Sequence, residues 1–409
     1  MKYVIIGNSA AGIGAVEGIR QVDKHGEITI VSSEPHHTYS RPLISYLLLG
    51  KTSEEKMRYR GDQFYADNNC KLLAGVSVTK IDSAKKHVSL SNGENLPYDR
   101  LMVATGSSAF VPTFEGLEGV TSSHTFMSLD DAHGLANALG TSKRVLIVGA
   151  GLIGLKCAEG ILDKVQSITI VDLAPRVLSS ILDGSGAARI QEHLEKKGIS
   201  FKLSAGVERF EGNKAVLSNG ETEEFDILVL AVGVKPNTYL LNDIANIGRG
   251  IIVDSRSKTS VPDIYAAGDC TQTIDVVSGQ EKIMALLPNA YMQGEVAGIN
   301  MAGGNKKFDK AIAMNAIGFF GLHMLTAGSY SGEVYEKSDK DYSKRLFYSN
   351  NKLNGFILIG DIDRAGIYTS LIRERTPLDS IDFPLICEQA GLMAFSREHR
   401  DARLGGDAG

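Results

Sequence analysis

Two glycine-rich turns are the parts of this chain whose residue types and spacing are best suited to chemistry. The first turn reads Gly7-Asn-Ser-Ala-Ala-Gly12 and the second reads Gly149-Ala-Gly-Leu-Ile-Gly154. In such a turn the first glycine permits a tight bend, the second lets backbone approach a phosphate, and the third allows close packing of the next helix. Free N–H groups at the start of that helix attract an anion. Each turn is therefore predicted to bind the pyrophosphate of a dinucleotide.

An acidic residue follows each turn at the distance expected for a ribose-binding carboxylate. Asp172 stands 23 residues after Gly149 and ends the apolar stretch ITIVD. A carboxylate there can accept both ribose hydroxyls and repels a 2′-phosphate, which favours NAD(H) over NADP(H). Glu34 stands 27 residues after Gly7 and is predicted to bind the adenosine ribose of the other nucleotide. Ser9 replaces the second glycine of that first turn, and its small side chain could donate to the phosphate.

The two turns belong to two copies of one arrangement, which is a buried strand, the turn, a helix and a second strand. The copies begin KYVIIGNSAAGIGAVEGI and KRVLIVGAGLIGLKCAEGI. Gly7 and Gly149 are 142 positions apart, whereas Gly106 and Gly233 in the later ATG and AVG segments are 127 apart. The first copy therefore has 15 additional residues, and the candidate extra segment is 35–60, PHHTYSRPLISYLLLGKTSEEKMRYR.

A third motif, SVPDIYAAGDC, delivers Asp269 directly after a short predicted strand. An acid in this place could contact the ribityl or pyrophosphate region of a nucleotide. The apolar run that follows predicts a helix beginning near Pro288, whose positive end could face a ring that becomes anionic when reduced.

Composition limits the class of protein. A length of 409 residues with 43% hydrophobic residues predicts two or three domains with sizeable cores. A net charge of −5 with interspersed signs argues against nucleic-acid binding. The first apolar run, YVII, leads directly into the first turn, so neither a signal peptide nor a membrane span is expected. Four cysteines lack metal-ligand spacing, which predicts free thiols, no metal and a cytoplasmic location.

The motifs GxSAAG, ATG, GxGxxG, AVGVKPN and TSVPDIYAAGD, in this order, resemble the FAD- and NAD(P)H-dependent pyridine nucleotide-disulfide oxidoreductase superfamily over residues 1–305. The resemblance implies an α/β fold with two Rossmann-like, glutathione-reductase-like dinucleotide-binding domains and a C-terminal α+β domain. It also implies FAD in the first module, NADH in the second and hydride transfer between them. The expected boundaries are 1–110 and 243–310 for the FAD domain, 111–242 for the NAD domain and 311–409 for the C-terminal domain.

The turns and the resemblance together define the expected cofactor-binding residues. For FAD these are Gly7, Ser9, Ala10, Ala11, Gly12, Glu34, Arg41, Pro42, Val78, Ala104, Thr105, Gly106 and Asp269, and for NAD(H) they are Gly149, Gly151, Leu152, Ile153, Gly154, Asp172 and Gly233. The flavin is expected to perform the chemistry, so no catalytic side chain is assigned, although Arg41 and Lys156 are candidates.

Missing cysteines indicate the branch of the superfamily. Glutathione-reductase-like members carry CxxxxC in the first helix and thioredoxin-reductase-like members carry CxxC in the NAD domain, and this chain has neither. Coenzyme A-disulfide reductases and water-forming NADH oxidases have one cysteine in the segment after the FAD-ribose acid, and here that segment has none. Cys70 is expected at the end of a helix, as a structural thiol. Disulfide chemistry is therefore disfavoured.

The extra segment instead resembles the SRP-containing flavin loop of NADH:rubredoxin reductases, ferredoxin reductases and the flavin region of nitrite reductase large subunits. Arg41 and Pro42 match that loop, so the resemblance places them beside the isoalloxazine, where Arg41 could hold an FAD phosphate or stabilise reduced-flavin charge. Many ferredoxin reductases have a lysine and a glutamate that pair near the flavin. Tyr46 and Lys156 stand at those two positions here, so Lys156 either keeps a cation near the ring or faces solvent.

The chain from about Ala311 reads as short strands with a hairpin at Asn350–Gly355, followed by a helix over 363–375 with Asp363 as its N-cap. By position this region matches the superfamily's C-terminal interface or partner-docking domain. The polar residues 399–409, HRDARLGGDAG, are predicted to be disordered.

These observations predict an FAD-dependent NADH oxidoreductase that passes electrons to a small iron protein, rubredoxin or ferredoxin-like, or to an iron–sulfur subunit. The reverse direction suits the same residues. The alternatives are a hydrogen-peroxide-forming NADH oxidase and a non-catalytic flavoprotein that acts through partner binding. A homodimer and a heteromeric complex are both compatible with the sequence.

Overall fold

The computed structural model describes residues 1–391 and 394–395, and the tail predicted to be disordered lies outside them. The chain divides into two compact units, each of which is assembled from separate stretches of sequence. The first unit consists of Met1–Ser179, Leu194–Thr273 and Glu281–Asp309. The second consists of Ser180–His193, Ile274–Gln280 and the described residues from Lys310 onward. The four domain boundaries predicted from the sequence stay a prediction.

The α-helices alternate with groups of strands along the chain, and the last two helices follow the last strand. The α-helices are α1 Ala10–Val22, α2 Ile44–Leu48, α3 Glu54–Met57, α4 Phe64–Asp67, α5 Leu129–Ala138, α6 Leu152–Ile161, α7 Gly184–Glu195, α8 Leu287–Met301, α9 Ala365–Arg373 and α10 Phe383–Glu388. Short 3₁₀ helices occupy Arg41–Leu43, Leu117–Gly119, Leu162–Lys164 and Leu378–Ser380.

The strands of the two sequence copies come first. They are β1 Lys2–Ile6, β2 Glu27–Ser32, β3 Cys70–Ala74, β4 Val78–Asp82, β5 His87–Leu90, β6 Asn95–Pro97, β7 Arg100–Val103, β8 Ser107–Ala109, β9 Ser123–His124, β10 Arg144–Val148, β11 Ser167–Asp172, β12 Ile199–Leu203, β13 Val207–Phe210, β14 Lys214–Leu217, β15 Thr222–Glu224, β16 Ile227–Leu230, β17 Val234–Pro236, β18 Ile251–Ile252, β19 Ile264–Ala266, β20 Thr271–Ile274 and β21 Glu281–Lys282. The later strands are β22 Met314–Phe319, β23 Leu322–Gly328, β24 Glu333–Ser338, β25 Ser343–Ser349 and β26 Lys352–Ile359.

The sequence repeat is also a structural repeat. The first parallel sheet has the strand order β19-β7-β1-β2-β3, and the second has the matching order β9-β16-β10-β11-β12. Their central strands are almost continuously apolar because both faces of such a sheet are covered. Each copy also carries a three-stranded antiparallel meander, β4–β6 or β13–β15. The predicted pair of Rossmann-like modules is confirmed.

The copies differ most in the segment between the second and third strands. In the first copy this segment holds the 3₁₀ turn at Arg41–Leu43 and the short helices α2, α3 and α4, whereas the second copy has only the longer α7 there. The extra residues predicted at 35–60 therefore form a string of short helices directly after β2. Because β2 ends beside the first glycine turn, these helices are placed next to that turn.

Helices α1 and α8 cross at four glycines, which let their backbones meet. A Cβ atom on Gly294 would lie 2.1 Å from the carbonyl oxygen of Ala11, and one on Gly298 would lie 2.2 Å from that of Ala15. Gly14 and Gly18 face α8 in the same way, with Cβ positions 2.3 and 2.2 Å from its backbone oxygens. This crossing fixes the helix that begins near Pro288 against the helix that follows the first turn.

The second unit contains an antiparallel sheet of order β22-β23-β26-β25-β24, with an apolar core under α9 and α10. The predicted α+β character of the C-terminal region is confirmed. The hairpin turn is shorter than predicted and consists of Asn350 and Asn351, with φ values of 49° and 59°. Two consecutive residues of this kind form a type I′ turn, which matches the twist of the flanking strands.

The predicted N-cap of α9 is wrong. The helix begins at Ala365, and its N-cap is Arg364, which has a φ of 59°. The N–H of Asp363 donates instead to the side chain of Asp361 at 3.0 Å. The two aspartates thus form a tight turn before the helix, and α9 starts later than the position of the acid suggested.

The α1–α8 crossing predicts that a glycine substitution inside it destabilises the protein, whereas one on an exposed helix face does not. Gly294→Ala should lower the free energy of unfolding by about 1–3 kcal/mol, because its methyl group must displace backbone. Gly134→Ala, on an exposed face of α5 with only His124 Nδ1 at 3.9 Å, should be neutral or stabilise the protein by about 0.5–1 kcal/mol. Thermal and urea unfolding of the two variants would test this, and equal effects would contradict the backbone contact.

Candidate functional site

The first glycine turn is held by backbone contacts that leave no room for side chains. Gly7 has a φ of 120°, and a Cβ atom on it would lie 2.1 Å from the carbonyl oxygen of Ala104. A Cβ atom on Gly12 would lie 2.1 Å from the carbonyl oxygen of Gly7. The turn therefore packs directly on the start of the ATG segment, Ala104-Thr105-Gly106, which follows β7.

The second turn repeats this geometry. Gly149 has a φ of 116°, and its Cβ position lies 2.3 Å from the carbonyl oxygen of Ala231. The Cβ position of Gly154 lies 2.0 Å from the carbonyl oxygen of Gly149. In contrast, no heavy atom beyond its chain neighbours lies within 4 Å of the Cβ position of Gly151. Open space therefore lies over the middle of the turn, where the backbone would meet a phosphate.

Both helices begin with donors that no side chain caps. Ser9 is the N-cap of α1, and Gly151 is the N-cap of α6, and neither helix start has a side-chain cap hydrogen bond. Neither first turn contains an acidic residue. Ala10, Ala11, Leu152 and Ile153 occupy these first turns, so their small or apolar side chains leave the N–H groups to an anion.

The carboxylate of Asp172 is fixed by backbone at the end of β11. One of its oxygens accepts the N–H of Ala150 at 2.7 Å, and the other accepts the N–H of Ala174 at 2.8 Å. The acid is thereby tied to the second glycine turn itself. The neighbouring side chain of Leu173 is 75% exposed, so the surroundings of this carboxylate are open.

The carboxylate of Glu34 is held differently, by side chains from the extra segment. It forms an ion pair with Arg41 and accepts the hydroxyl of Tyr39 at 2.6 Å. The Tyr39 oxygen in turn accepts the N–H of Leu129 at 3.0 Å, and Arg41 donates to the carbonyl of Met127 at 3.3 Å. Tyr39, whose role the sequence left open, is thus a buried polar bridge. Its long-range partners could not be found from local pattern.

Asp269 lies after β19, near enough to Arg41 for the two charges to interact. Burial raises the pKa of Asp269, while the Ser107 hydroxyl, which donates at 3.4 Å, and the charge of Arg41 lower it. Ser107 was missed in the sequence because it is brought to Asp269 only by the fold. The predicted helix near Pro288 is confirmed as α8, which begins at Leu287 with the proline in its first turn.

The remaining predicted residues lie at the ends of strands. The hydroxyl of Thr105 donates to the carbonyl of Asn237 at 2.6 Å, and the carbonyl of Gly233 accepts the N–H of Phe110 at 2.9 Å. These bonds join the two chain segments, one after β7 and one after β16, that connect one module to the other. Val78 is different, since it is 4% exposed in an apolar core cluster at the start of β4.

Lys156 is not a solvent-facing residue, so that alternative is wrong. Its side chain is 12% exposed, pairs with Glu159 one turn along α6, and lies over the ring of Tyr46 with Nζ 4.4 Å from the ring centroid. The two residues that depart from the ferredoxin-reductase pattern therefore contact each other. Glu159 was missed, although its spacing of three residues on a helix could have indicated the pair.

The cysteines show no sign of nucleophilic activation. The prediction that Cys70 ends a helix is wrong, because α4 ends earlier and Cys70 begins β3, paired with Ile28. Burial raises the pKa of Cys70 to about 12 and those of Cys270 and Cys387 to about 11, and it also raises the pKa of Cys157. A catalytic thiol requires the opposite shift.

The described part of the chain has neither a metal-binding cluster nor a membrane-spanning helix. Among residues 1–391 and 394–395, no group of three or more His, Cys, Asp or Glu side chains could hold a metal ion. No helix within the same residues is both long enough and apolar enough to cross a membrane.

Comparison with known proteins identifies the family. The model of the pyridine nucleotide-disulphide oxidoreductase family matches residues 1–294. The chain belongs to this family. It is an NADH-dependent oxidoreductase whose cofactors are FAD and NAD(H).

Relatives in this family have more specific names. The chain is 33% identical to the NADH-dependent phenylglyoxylate dehydrogenase subunit epsilon of Aromatoleum evansii, with 92% of each chain covered. It is 33% identical to an NADH oxidase of Methanocaldococcus jannaschii, over 75% of this chain and 71% of that protein. It is 31% identical to the rubredoxin-NAD(+) reductase of Pseudomonas putida, over 74% of this chain and 80% of that protein.

A solved structure matches most of the chain. The NAD-dependent persulfide reductase from A. fulgidus superposes with a TM-score of 0.85 at 27% identity, covering 93% of this chain and 78% of that one. The extra segment 35–60 of the present chain contains no cysteine. The match therefore covers most of the fold, but segment 35–60 of this chain has no thiol.

The raised cysteine pKa values predict a pH dependence. Alkylation of the partly exposed Cys70 in the folded protein should be slow at neutral pH and rise continuously from pH 8 to pH 10, because the thiolate fraction of a group with a pKa of about 12 keeps growing over that range. The fully buried Cys157 and Cys270 should label only after unfolding. Iodoacetamide labelling with mass spectrometry would follow each cysteine, with urea-unfolded protein as the control. A cysteine that labels fully at pH 7 would show an activated thiolate and contradict this assignment.

Proposed function

We propose that this protein transfers hydride from NADH to FAD and passes the electrons on to an iron–sulfur or rubredoxin-type partner. One observation carries the proposal: two nucleotide turns of equal geometry lie in one compact unit, and the flavin-side segment between them has no cysteine. Hydride can therefore enter through one nucleotide, while no thiol is available there to take it further. When bound, FAD supplies the step from a two-electron donor to one-electron acceptors.

FAD fits the first turn. The backbone contacts of Gly7 and Gly12, the uncapped start of α1 and the hydroxyl of Ser9 together suit a pyrophosphate. We assign Glu34 to the adenosine ribose and Asp269 to the ribityl or pyrophosphate region. The ion pair of Arg41 with Glu34 supports a role for Arg41 in holding phosphate rather than in contacting the ring.

NADH fits the second turn. The open space over Gly151 and the uncapped start of α6 suit its pyrophosphate. Asp172 is already oriented by two backbone N–H groups, so it can accept ribose hydroxyls without rearrangement. The same carboxylate repels a 2′-phosphate, and this supports a preference for NADH over NADPH.

The partner is proposed from the relatives. The name of the Pseudomonas putida relative specifies rubredoxin, and the relative from Aromatoleum evansii, which matches over nearly its whole length, is one subunit of a larger enzyme. We therefore propose that the acceptor is either a small iron protein or an iron–sulfur subunit of a complex. A cytoplasmic location is proposed because the four cysteines are free.

An NADH oxidase is the second candidate, because one relative of equal identity carries that name. Reduced flavin reacts with oxygen without a thiol, so the same site could support it. The two functions differ in what reoxidises the enzyme, and this difference can be measured directly.

Anaerobic stopped-flow mixing with NADH tests the proposal. The flavin absorbance band should bleach rapidly with NADH and slowly with NADPH, and rubredoxin or ferredoxin should restore it faster than air does. Faster recovery with oxygen than with either iron protein would establish the oxidase instead. Failure of NADH to bleach the flavin would overturn both candidates and favour a non-catalytic role.

The assignment of Asp172 makes a separate prediction. Asp172→Ala should weaken NADH binding by roughly ten- to hundred-fold, because charge-assisted hydrogen bonds to the ribose are lost. NADPH binding should change less, since the repulsion disappears with the carboxylate. Asp163→Ala removes an exposed acid from the 3₁₀ turn after α6 and is the matched control. Equal losses for both nucleotides would contradict the ribose assignment.

A further inference from the structure

The second unit contains a cavity that has no part in the function proposed so far. It has a volume of about 310 Å³ and lies between helix α9 and the strands β22 and β23. Its lining includes two sheet residues, three residues of α9 and the C-cap of this helix, namely Met314, Leu325, Gly366, Thr369, Arg373 and Glu374. Pockets that bind small molecules have volumes from about 300 Å³ upward, so this α9 cavity has room for a small ligand.

A residue without a side chain keeps the α9 cavity open. Gly366, Thr369 and Arg373 are three and four residues apart, so they share one face of the helix. Apart from the chain neighbours and the helix backbone, no heavy atom of the described residues lies within 4 Å of the Cβ position of Gly366. Gly366 and Glu374 are exposed, and the cavity therefore opens to solvent.

Arg373 brings an unsatisfied donor to this cavity. Among the described residues, its buried Nε has no hydrogen-bond partner. Burying a donor without a partner is costly, and such an atom in a folded protein calls for a partner from outside the chain. The adjacent acid does not supply one, because both carboxylate oxygens of Glu374 lie 3.0 Å from Nζ of Lys310. The charge offered to a ligand here is therefore positive.

The donor and the lining together define the class of ligand. The Nε–H of an arginine and one of its terminal N–H groups point the same way and match the two oxygens of a carboxylate. The hydroxyl of Thr369 already donates to the carbonyl of Ala365 at 3.0 Å, so Arg373 is the better donor to a ligand. Met314 and Leu325 are apolar, and a methionine adapts to ligands of different shape. An acid with a short apolar body satisfies both parts of the cavity.

We propose that the α9 cavity is a binding site for a small amphipathic carboxylate. The carboxyl group accepts hydrogen bonds from the guanidinium of Arg373, and the apolar body packs on Met314 and Leu325. This site goes beyond the proposed function, because its residues belong to the second unit and neither glycine turn is part of it. Since the ligand would contact both α9 and the sheet, its binding should also stabilise the fold.

Benzoate is the probe, because it carries one carboxylate on a small apolar ring. Isothermal titration of the full-length, FAD-loaded protein should show saturable binding with a Kd of about 1 mM or below. Benzamide has the same shape without the charge, and it should bind about tenfold more weakly. Inorganic phosphate has the charge without the apolar body and should also bind more weakly. Equal or tighter binding of either control compound would overturn the assignment to an amphipathic acid.

Two substitutions test the charge and the space separately. Arg373→Met should weaken benzoate binding about tenfold or more, whereas Arg373→Lys keeps the charge without the planar fork and should fall between. Arg249→Met, at an exposed arginine of the first unit, is the matched control and should leave the Kd unchanged. Gly366→Leu should fill the cavity and abolish binding without loss of stability, because its side chain meets open space and leucine favours a helix more than glycine does.

The location is tested by NMR with ¹³C-methyl methionine. Benzoate should shift the methyl signal of Met314, which the Met314→Leu variant identifies. If benzoate does not bind, if it binds Arg373→Met and Gly366→Leu as tightly as the unmodified protein, or if the Met314 signal stays in place, the inference is wrong. None of these measurements involves NADH or an electron acceptor, so their failure is distinguishable from failure of the proposed function.

Discussion

The close approach of backbone to backbone at the two glycine turns is the constraint on which the rest of the site depends. In each copy a glycine carbonyl lies where only another glycine fits, and the first glycine packs on the end of a neighbouring strand. The contact closes strand, turn and helix into one rigid corner. Uncapped N–H groups are thereby aimed at a fixed point beyond the sheet. The two acids Glu34 and Asp172, the crossing segments and the extra helices are all positioned relative to these corners.

Much of this organisation could be predicted from the sequence because it is local. Gly7 and Gly149, the apolar strands after which they stand, and the acids Glu34 and Asp172 follow from spacing alone, and duplication makes each copy a check on the other. The start of α8 near Pro288 was likewise readable, since a proline in a first helical turn is a local signal.

What could not be predicted depends on contacts between residues distant in sequence. The hydroxyl of Ser107 reaches Asp269 only because the folded chain brings the two segments together. Cys70 was misplaced because Asn69, with a φ of 43°, turns the chain out of α4 and into β3 at that point. No hydrophobic periodicity in the sequence predicts such a turn. The burial of Lys156 could not be predicted from the sequence either, because a lysine on a helix ordinarily faces water. Its burial results from the packing of α2 across α6.

The two copies hold their acids by different means. Glu34 is held by Tyr39 and Arg41, both supplied by the extra segment, so its carboxylate is part of a side-chain network. Asp172 is held by two backbone N–H groups beside an open surface, without a side-chain network. The two copies thus share equal corners, and the segment after β2 adds side chains around the acid of the first corner. The same segment contributes Tyr46 to the crossing with α6, where its ring contacts the ammonium group of Lys156, so this segment also joins the first copy to the second.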